Sequence, residues 1–269
     1  MGIFYNFVLM KRKNRVVIIG SGGVATSVAL ALRDRVKIVQ IFSRTLANAQ
    51  RLAARVECDN IVDNLGALDL NADAYLVMVT DDAIAEVLSQ VPDNGALWVH
   101  TSGSTPLSVF EGRRRHAAVM WPLQSFSRER VEDMSHVYAF VEATSPADEQ
   151  AVGQLAAMIT DHVMTADSAR RRQLHIAAVF ACNFANHMFT LADDVLQRAD
   201  IPFDAMLPLI RTMVSKLDTL TPEQSQTGPA ARGDRGIIAD HLGALSGNER
   251  EIYDLLSRSI LNHHNTKPK

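Results

Sequence analysis

Gly20-Ser21-Gly22-Gly23-Val24-Ala25 stands between a short β-branched run, Arg15 to Ile19, and a run of small and aliphatic residues, Val24 to Arg33. A G-x-G-x-x-A turn between a strand and a helix is suited to holding a pyrophosphate. The first glycine permits the tight turn, and the second lets the backbone approach the phosphates. The small third residue lets helix and strand pack closely. The helix start adds unpaired N–H groups and the positive end of its dipole. These six residues are therefore read as the phosphate contact of a dinucleotide; a purely structural glycine turn is the alternative. The second β-branched run, Val36 to Phe42, leads into Ser43-Arg44-Thr45 with no carboxylate for a ribose 2′-hydroxyl. Arg44 can pair with a 2′-phosphate through two parallel hydrogen bonds, with Ser43 and Thr45 as further donors, so NADP(H) is expected over NAD. A solvated loop arginine is the plainer reading of Arg44.

Ligands of an open parallel sheet bind outside the C-terminal strand ends, which draws attention to the residues there. Thr80 and Asp81 follow an apolar run from Ala74 and are expected to line the nicotinamide ribose, while Asp82 reads as a helix N-cap. His100-Thr101-Ser102-Gly103-Ser104-Thr105-Pro106 places four hydroxyls at one strand end. Part of that is capping before the proline, but the density points to substrate binding by Ser102 and Ser104. In Trp121-Pro122-Leu123-Gln124-Ser125-Phe126, Gln124 and Ser125 can face the cleft, while Trp121 and Phe126 equally suit domain packing.

Asp167 to Ala199 reads as one long apolar helix carrying His175, Asn183, Asn186 and His187. At 100° per residue His175 and Asn186 fall near one line, and His175 and Asn183 lie about 12 Å apart along the axis. His175 is expected to be the general acid/base, Asn183 to orient the substrate or the histidine, and Asn186 to contact substrate. Structural hydrogen bonding at an interface is the plain alternative. Gln226 to Asp234 is a loop that can offer Arg232 to a substrate carboxylate. The runs Arg113–Arg115 and Arg170–Arg172 read as solvated helix faces, and His263-His264 is assigned no metal.

Strands and helices alternate up to about residue 166. Beyond the runs already named, helices are expected over 47–55, 84–90, 106–115 and 146–160, with strands over 96–100, 117–120 and 137–141. The spacing argues for an α/β Rossmann domain, a doubly wound parallel sheet. An all-helical domain follows, with a loop over 221–235 and helices over 237–245 and 249–262. The expected division is an N-terminal extension at 1–14, a dinucleotide-binding domain at 15–166, and a helical substrate or dimerisation domain at 167–269.

Of the 269 residues 47% are hydrophobic and 21% charged, with a net charge of -3, so no electrostatic footprint for nucleic acid or an anionic membrane is present. No uninterrupted apolar stretch reaches the roughly 18 to 20 residues of a membrane span. Residues 1–9 lack the basic start and cleavage site of a signal peptide; either Met10 is the natural start or residues 1–9 are a disordered extension. The two cysteines fit no metal spacing and suit a cytoplasmic protein.

From about Arg15 to Ile260 the chain resembles the Rossmann-like proteins that carry the C-terminal domain DUF2520, a family labelled NADP oxidoreductase, F420-dependent type. The segments that carry the resemblance are His100 to Ser104, Trp121 to Phe126, His175 to His187 and Gln226 to Asp234. The resemblance implies kinship with 6-phosphogluconate, 3-hydroxyisobutyrate and prephenate dehydrogenases and with pyrroline-5-carboxylate reductase. In the hydroxyisobutyrate type a D-x-S-T-x-x-P motif binds the substrate carboxylate. Ser102 and Pro106 match it, while His100 replaces the aspartate and Gly103 the threonine. A catalytic lysine of those enzymes has no counterpart, since no lysine lies between Lys37 and Lys216. The resemblance also implies a homodimer through the helical domain. The reading is an NADP(H)-dependent oxidoreductase moving a hydride to or from a small carbonyl, imine or hydroxy compound. A non-catalytic dinucleotide-binding sensor or assembly protein is the alternative, and a deazaflavin hydride partner a third variant without a feature of its own.

Overall fold

The computed structural model describes residues 14–127 and 130–265; the expected extension lies outside them, apart from Asn14. Eight strands form one sheet: β1 (Arg15–Ile19), β2 (Lys37–Phe42), β3 (Ile61–Val62), β4 (Ala74–Val77), β5 (Leu97–His100), β6 (Ala117–Pro122), β7 (Ala139–Ala143) and β8 (Val163–Thr165). Their order is β3-β2-β1-β4-β5-β6-β7-β8. The order reverses at β1 and β4, which pair in parallel, so a crevice opens at their C-terminal ends.

Helices cover both faces, as the strands require. β4, β5 and β6 are buried along their whole length, and period-2 alternation sends successive side chains to opposite layers. Val16, Ile18, Leu76, Val99 and Met120 pack with α1 (Gly23–Leu32), α2 (Leu46–Val56) and α4 (Pro146–Ala157). Val17, Ile19, Tyr75, Val77 and Trp98 pack with Ile84, Val87 and Leu88 of α3 (Asp81–Gln90) and with Phe110.

The sheet is not wholly parallel: β7 runs antiparallel to β6, and β8 pairs in parallel with β7. A parallel neighbour needs a crossover, normally a helix; the described residues between Pro122 and Ala139 hold none, and the chain simply turns back. The helix expected over 106–115 is a single 3₁₀ turn, Leu107–Phe110, after which Gly112 takes φ +67° and ends it. Thr80, not Asp82, occupies the N-cap of α3, and Asp81 and Asp82 fill its first turn. β3 and β8, of two and three residues, are too short to show alternation and were not foreseen.

The long helix α5 spans Ser168–Gln197 and contains a π segment, Val179–Phe184. Because i→i+5 bonding turns through a smaller angle per residue, the uniform 100° phase between His175 and Asn186 does not hold. By length and composition α5 could cross a membrane, with a mean hydropathy of 1.2 over 18 residues, despite Asn183, Asn186 and His187. The chain divides into two compact units, the first ending at Cys182 and the second beginning at Asn183. The second unit is helical, with Leu207–Ser215, Arg235–Ala244 and Gly247–Asn265 as its main helices after α5. One helical turn, Pro229–Arg232, interrupts the expected loop, and helix replaces the expected tail up to Asn265.

Candidate active site

The turn after β1 is shaped by its neighbours. Gly20 has φ +126°, and a Cβ there would lie 2.1 Å from the Met78 carbonyl oxygen on the adjoining chain. A Cβ on Gly23 would meet Ser127 and Phe126 at 2.9 to 3.0 Å. Gly22 is different: nothing lies within 4 Å of its Cβ position, and as N-cap of α1 it brings no capping side chain. Space is therefore open around Gly22, and no side chain caps the first turn of α1. Ser21 and Ser43 share a hydrogen bond of 2.8 Å, which ties the turn to the end of β2. Ala25 is wholly buried and acts behind the turn, in helix packing.

A cleft of about 820 Å³ runs from this turn along the strand ends. Gly20 to Val24, Ser43, Arg44, Thr45, Thr80, Asp81, Ser102 and His175 all line it, so the first unit brings most of the sequence-derived candidates together. One end carries Arg44, Thr45 and Asn48 at the start of α2, whose N-cap Thr45 makes no capping bond with its side chain. Arg51 donates to Asn48 from the next turn. Asp63, Asn64, Glu86 and Gln90 also line the cleft and were not read from the sequence. Asp63 and Asn64 follow β3, which is too short to mark a strand end, and Glu86 and Gln90 lie further along α3.

At the other end the 101–105 loop is built from within. Ser102 Oγ accepts the N–H groups of Ser104 (3.1 Å) and Thr105 (2.9 Å). Ser102 donates its own N–H to His100 Nδ1 at 3.2 Å, which leaves the ring proton on Nε2. Ser104 Oγ donates to the Asp81 carboxylate across the cleft floor. His100 is fully buried and stacks on Phe110, and its pKa is pushed down to about 4. Burial is the main cause, and the Arg171 charge adds to it against the opposing pull of the Pro106 carbonyl and Asp81. The residue that replaces the aspartate of the hydroxy-acid motif is thus a neutral strut under the hydroxyl loop.

Arg171 corrects the expectation of a solvated Arg170–Arg172 face: its side chain is 1% exposed. It donates to Glu142 of β7 at 2.5 Å and to the Thr105 carbonyl at 2.7 Å. Ser168, at the start of α5, donates to the same carboxylate and accepts the Leu107 N–H. One turn beyond Arg171, His175 leans edge-on over Trp121, with ring centroids 5.8 Å apart. Trp121 and Phe126 both pack within the first unit. A Cβ on Gly103 would lie 2.7 Å from the Trp121 ring and 3.0 Å from His175 Nδ1, so only glycine lets the histidine settle over the loop.

Gln124 is exposed and outside the cleft wall, with its side-chain oxygen accepting the Ser125 N–H. Asn183, Asn186 and Arg232 belong to the second unit and are exposed there. Among the described residues no cluster of histidine, cysteine and carboxylate side chains could hold a metal ion.

Residues 137–260 match the domain of unknown function DUF2520. No curated protein matches the chain. Among solved structures, the "putative NADP oxidoreductase BF3122" from Bacteroides fragilis is 40% identical, with a TM-score of 0.88 over 93% of this chain and 98% of that one. Protein TM1727 from Thermotoga maritima is 21% identical over 93% and 98% of the two chains, with a TM-score of 0.71. A reductive aminase from Aspergillus terreus, solved with NADPH and ethyl-5-oxohexanoate, shares the fold at a TM-score of 0.63 and 12% identity over 95% and 88%. With its Rossmann-like first unit and a match at this identity over nearly its whole length, the chain belongs to the DUF2520 family.

Proposed function

We propose that the protein is an NADP(H)-dependent oxidoreductase that moves a hydride to or from a small carbonyl, imine or hydroxy compound. The observation that carries the reading is the joint placement of the open Gly22 turn, Arg44 and His175 along one cleft. The glycine turn and the start of α1 hold the pyrophosphate, and Arg44 with Ser43 and Thr45 holds the 2′-phosphate. Thr80 and Asp81 line the nicotinamide end. When bound, the dinucleotide supplies the hydride chemistry, and the protein contributes placement and proton handling. The same dinucleotide is named for the Bacteroides and Aspergillus proteins.

Ser102 and Ser104 stand at the reacting centre, their hydroxyls 3.4 Å apart, with Ser102 Oγ accepting two loop N–H groups. His175 is the proton donor and acceptor of the reaction, placed by Trp121 and Gly103. Asn183, Asn186 and Arg232 are assigned to substrate handling, and the helical domain to homodimer formation. Phe180, Phe184, Leu209 and Leu255 support the latter as large apolar side chains at least half exposed in the single chain.

A His175→Ala variant tests the assignment. It is expected to hold NADPH as the wild type does while losing turnover by about 10²- to 10⁴-fold, the usual share of a general acid. Unchanged turnover in that variant removes His175 from the chemistry.

A further inference from the structure

Most hydrogen-bond donors of the 102–105 loop are committed within the protein. The N–H of Ser102 goes to His100, and those of Ser104 and Thr105 go to Ser102 Oγ. The Ser104 hydroxyl is donated to Asp81. At Ser102 and Ser104 an arriving carboxylate would therefore meet oxygen lone pairs and a carboxylate where it needs hydrogen-bond donors. The only guanidinium or ammonium group among the described residues lining the cleft is Arg44, which sits at the end of β2 with the dinucleotide's far phosphate. Arg171, the cation nearest the hydroxyl loop, is sealed beneath it against Glu142.

Asp81 is the carboxylate that the hydroxyl loop touches, and it is exposed in the cleft. Its Oδ2 takes the Ser104 hydroxyl; a carboxylate oxygen has room for more than one donor, and the second oxygen is available too. We propose that the substrate end of this cleft receives a cationic nitrogen group, an amine or a protonated imine, with Asp81 as its counter-charge, and that it rejects carboxylates. This rests on the oxidoreductase reading and narrows its substrate class. An amine and its imine suit such a site as a pair, since the amine is protonated at neutral pH and the imine becomes cationic once it takes a proton. Ser104 holds the Asp81 carboxylate in place, and Ser102 in turn donates its hydroxyl to Ser104 Oγ at 3.4 Å.

The test is calorimetric titration of the full chain with propylammonium and with butanoate, which share a three-carbon tail and differ in head-group charge. Each probe is titrated with and without saturating NADP, after dinucleotide binding has been measured separately. Propylammonium is expected to bind about tenfold or more tightly than butanoate, and Asp81→Asn to abolish the difference. Ser104→Ala, which frees the carboxylate without removing it, is expected to reduce the preference only partly. Equal or tighter binding of butanoate overturns the proposal. Binding of neither probe, or an ammonium preference that survives Asp81→Asn, overturns it as well. A failure to bind dinucleotide counts against the parent reading alone, because the probe titrations without NADP still report the head-group preference.

Discussion

Gly20 and Gly22 occupy the same turn and yet answer to different demands. A methyl group on Gly20 collides with the Met78 carbonyl and forces φ +126° on a residue with a Cβ. Gly20→Ala is therefore expected to destabilise the fold by roughly 1 to 3 kcal/mol. A methyl group on Gly22 meets nothing in the protein. Gly22→Ala is expected to melt with the wild type and to lose dinucleotide binding, because only the ligand needs that space. Thermal melts beside NADPH titrations separate the two, and equal melting temperatures for both variants would sink the distinction. His100 gives a second prediction. Its value in the folded protein is lowered to about 4 from the ordinary 6.5, so between those pH values the unfolded chain binds a proton that the folded chain refuses. Stability is then expected to fall as pH drops from about 6.5 to about 4, by up to roughly 3 kcal/mol, and to be insensitive to this group above that window. In His100→Asn, whose amide oxygen can still accept the Ser102 N–H, chemical denaturation across this range should show a flatter curve; an unchanged curve contradicts the assignment. The turn, Arg44 and the hydroxyl loop were legible in the sequence because their chemistry is local. His100 as a strut and Asp81 as partner of Ser104 were not, since the first depends on how deeply β5 is buried and the second on a residue from another strand end.

At the level of elements, Arg171 joins three of them: α5, β7 through Glu142, and the hydroxyl loop through the Thr105 carbonyl. Removing one member of a buried pair strands the other charge, so Arg171→Met is expected to cost about 3 to 5 kcal/mol. The double variant Arg171→Met, Glu142→Met should recover much of that loss, because no buried charge is left unpaired. Denaturant unfolding of the three proteins checks this, and additive losses would refute the coupling. Most strands were readable: β4 is apolar throughout because both its faces are covered, and α1 follows from the glycine turn. Composition alone made Arg171 look like its solvated neighbours Arg170 and Arg172. One position of helical phase buries it, and only the placement of β7 decides which position that is. The π segment in α5 was invisible for a related reason, since residue types carry no mark of i→i+5 bonding. The same segment undid the angular argument that had aligned His175 with Asn186.

For the whole molecule, the second unit leaves Leu209 and Leu255 at least 60% exposed, and α5 has no buried residue in the 18-residue window of highest hydropathy. Sedimentation of the purified protein is expected to return a dimer, with polar replacement of Leu209 and Leu255 shifting it toward monomer; a wild-type monomer would rule out the assignment of the helical domain. The order of elements was readable along the chain, but which apolar helix faces are covered was not, because hydropathy is the same for a core and for an interface. The central claim, that the glycine turn and Arg44 hold a 2′-phosphorylated dinucleotide, is tested most directly by titrating NADPH and NADH against the wild type and Arg44→Ala. NADPH is expected to bind the wild type well ahead of NADH, and Arg44→Ala to weaken NADPH by about tenfold or more while leaving NADH nearly unchanged. Equal affinities for the two nucleotides, or no binding of either, would contradict the account.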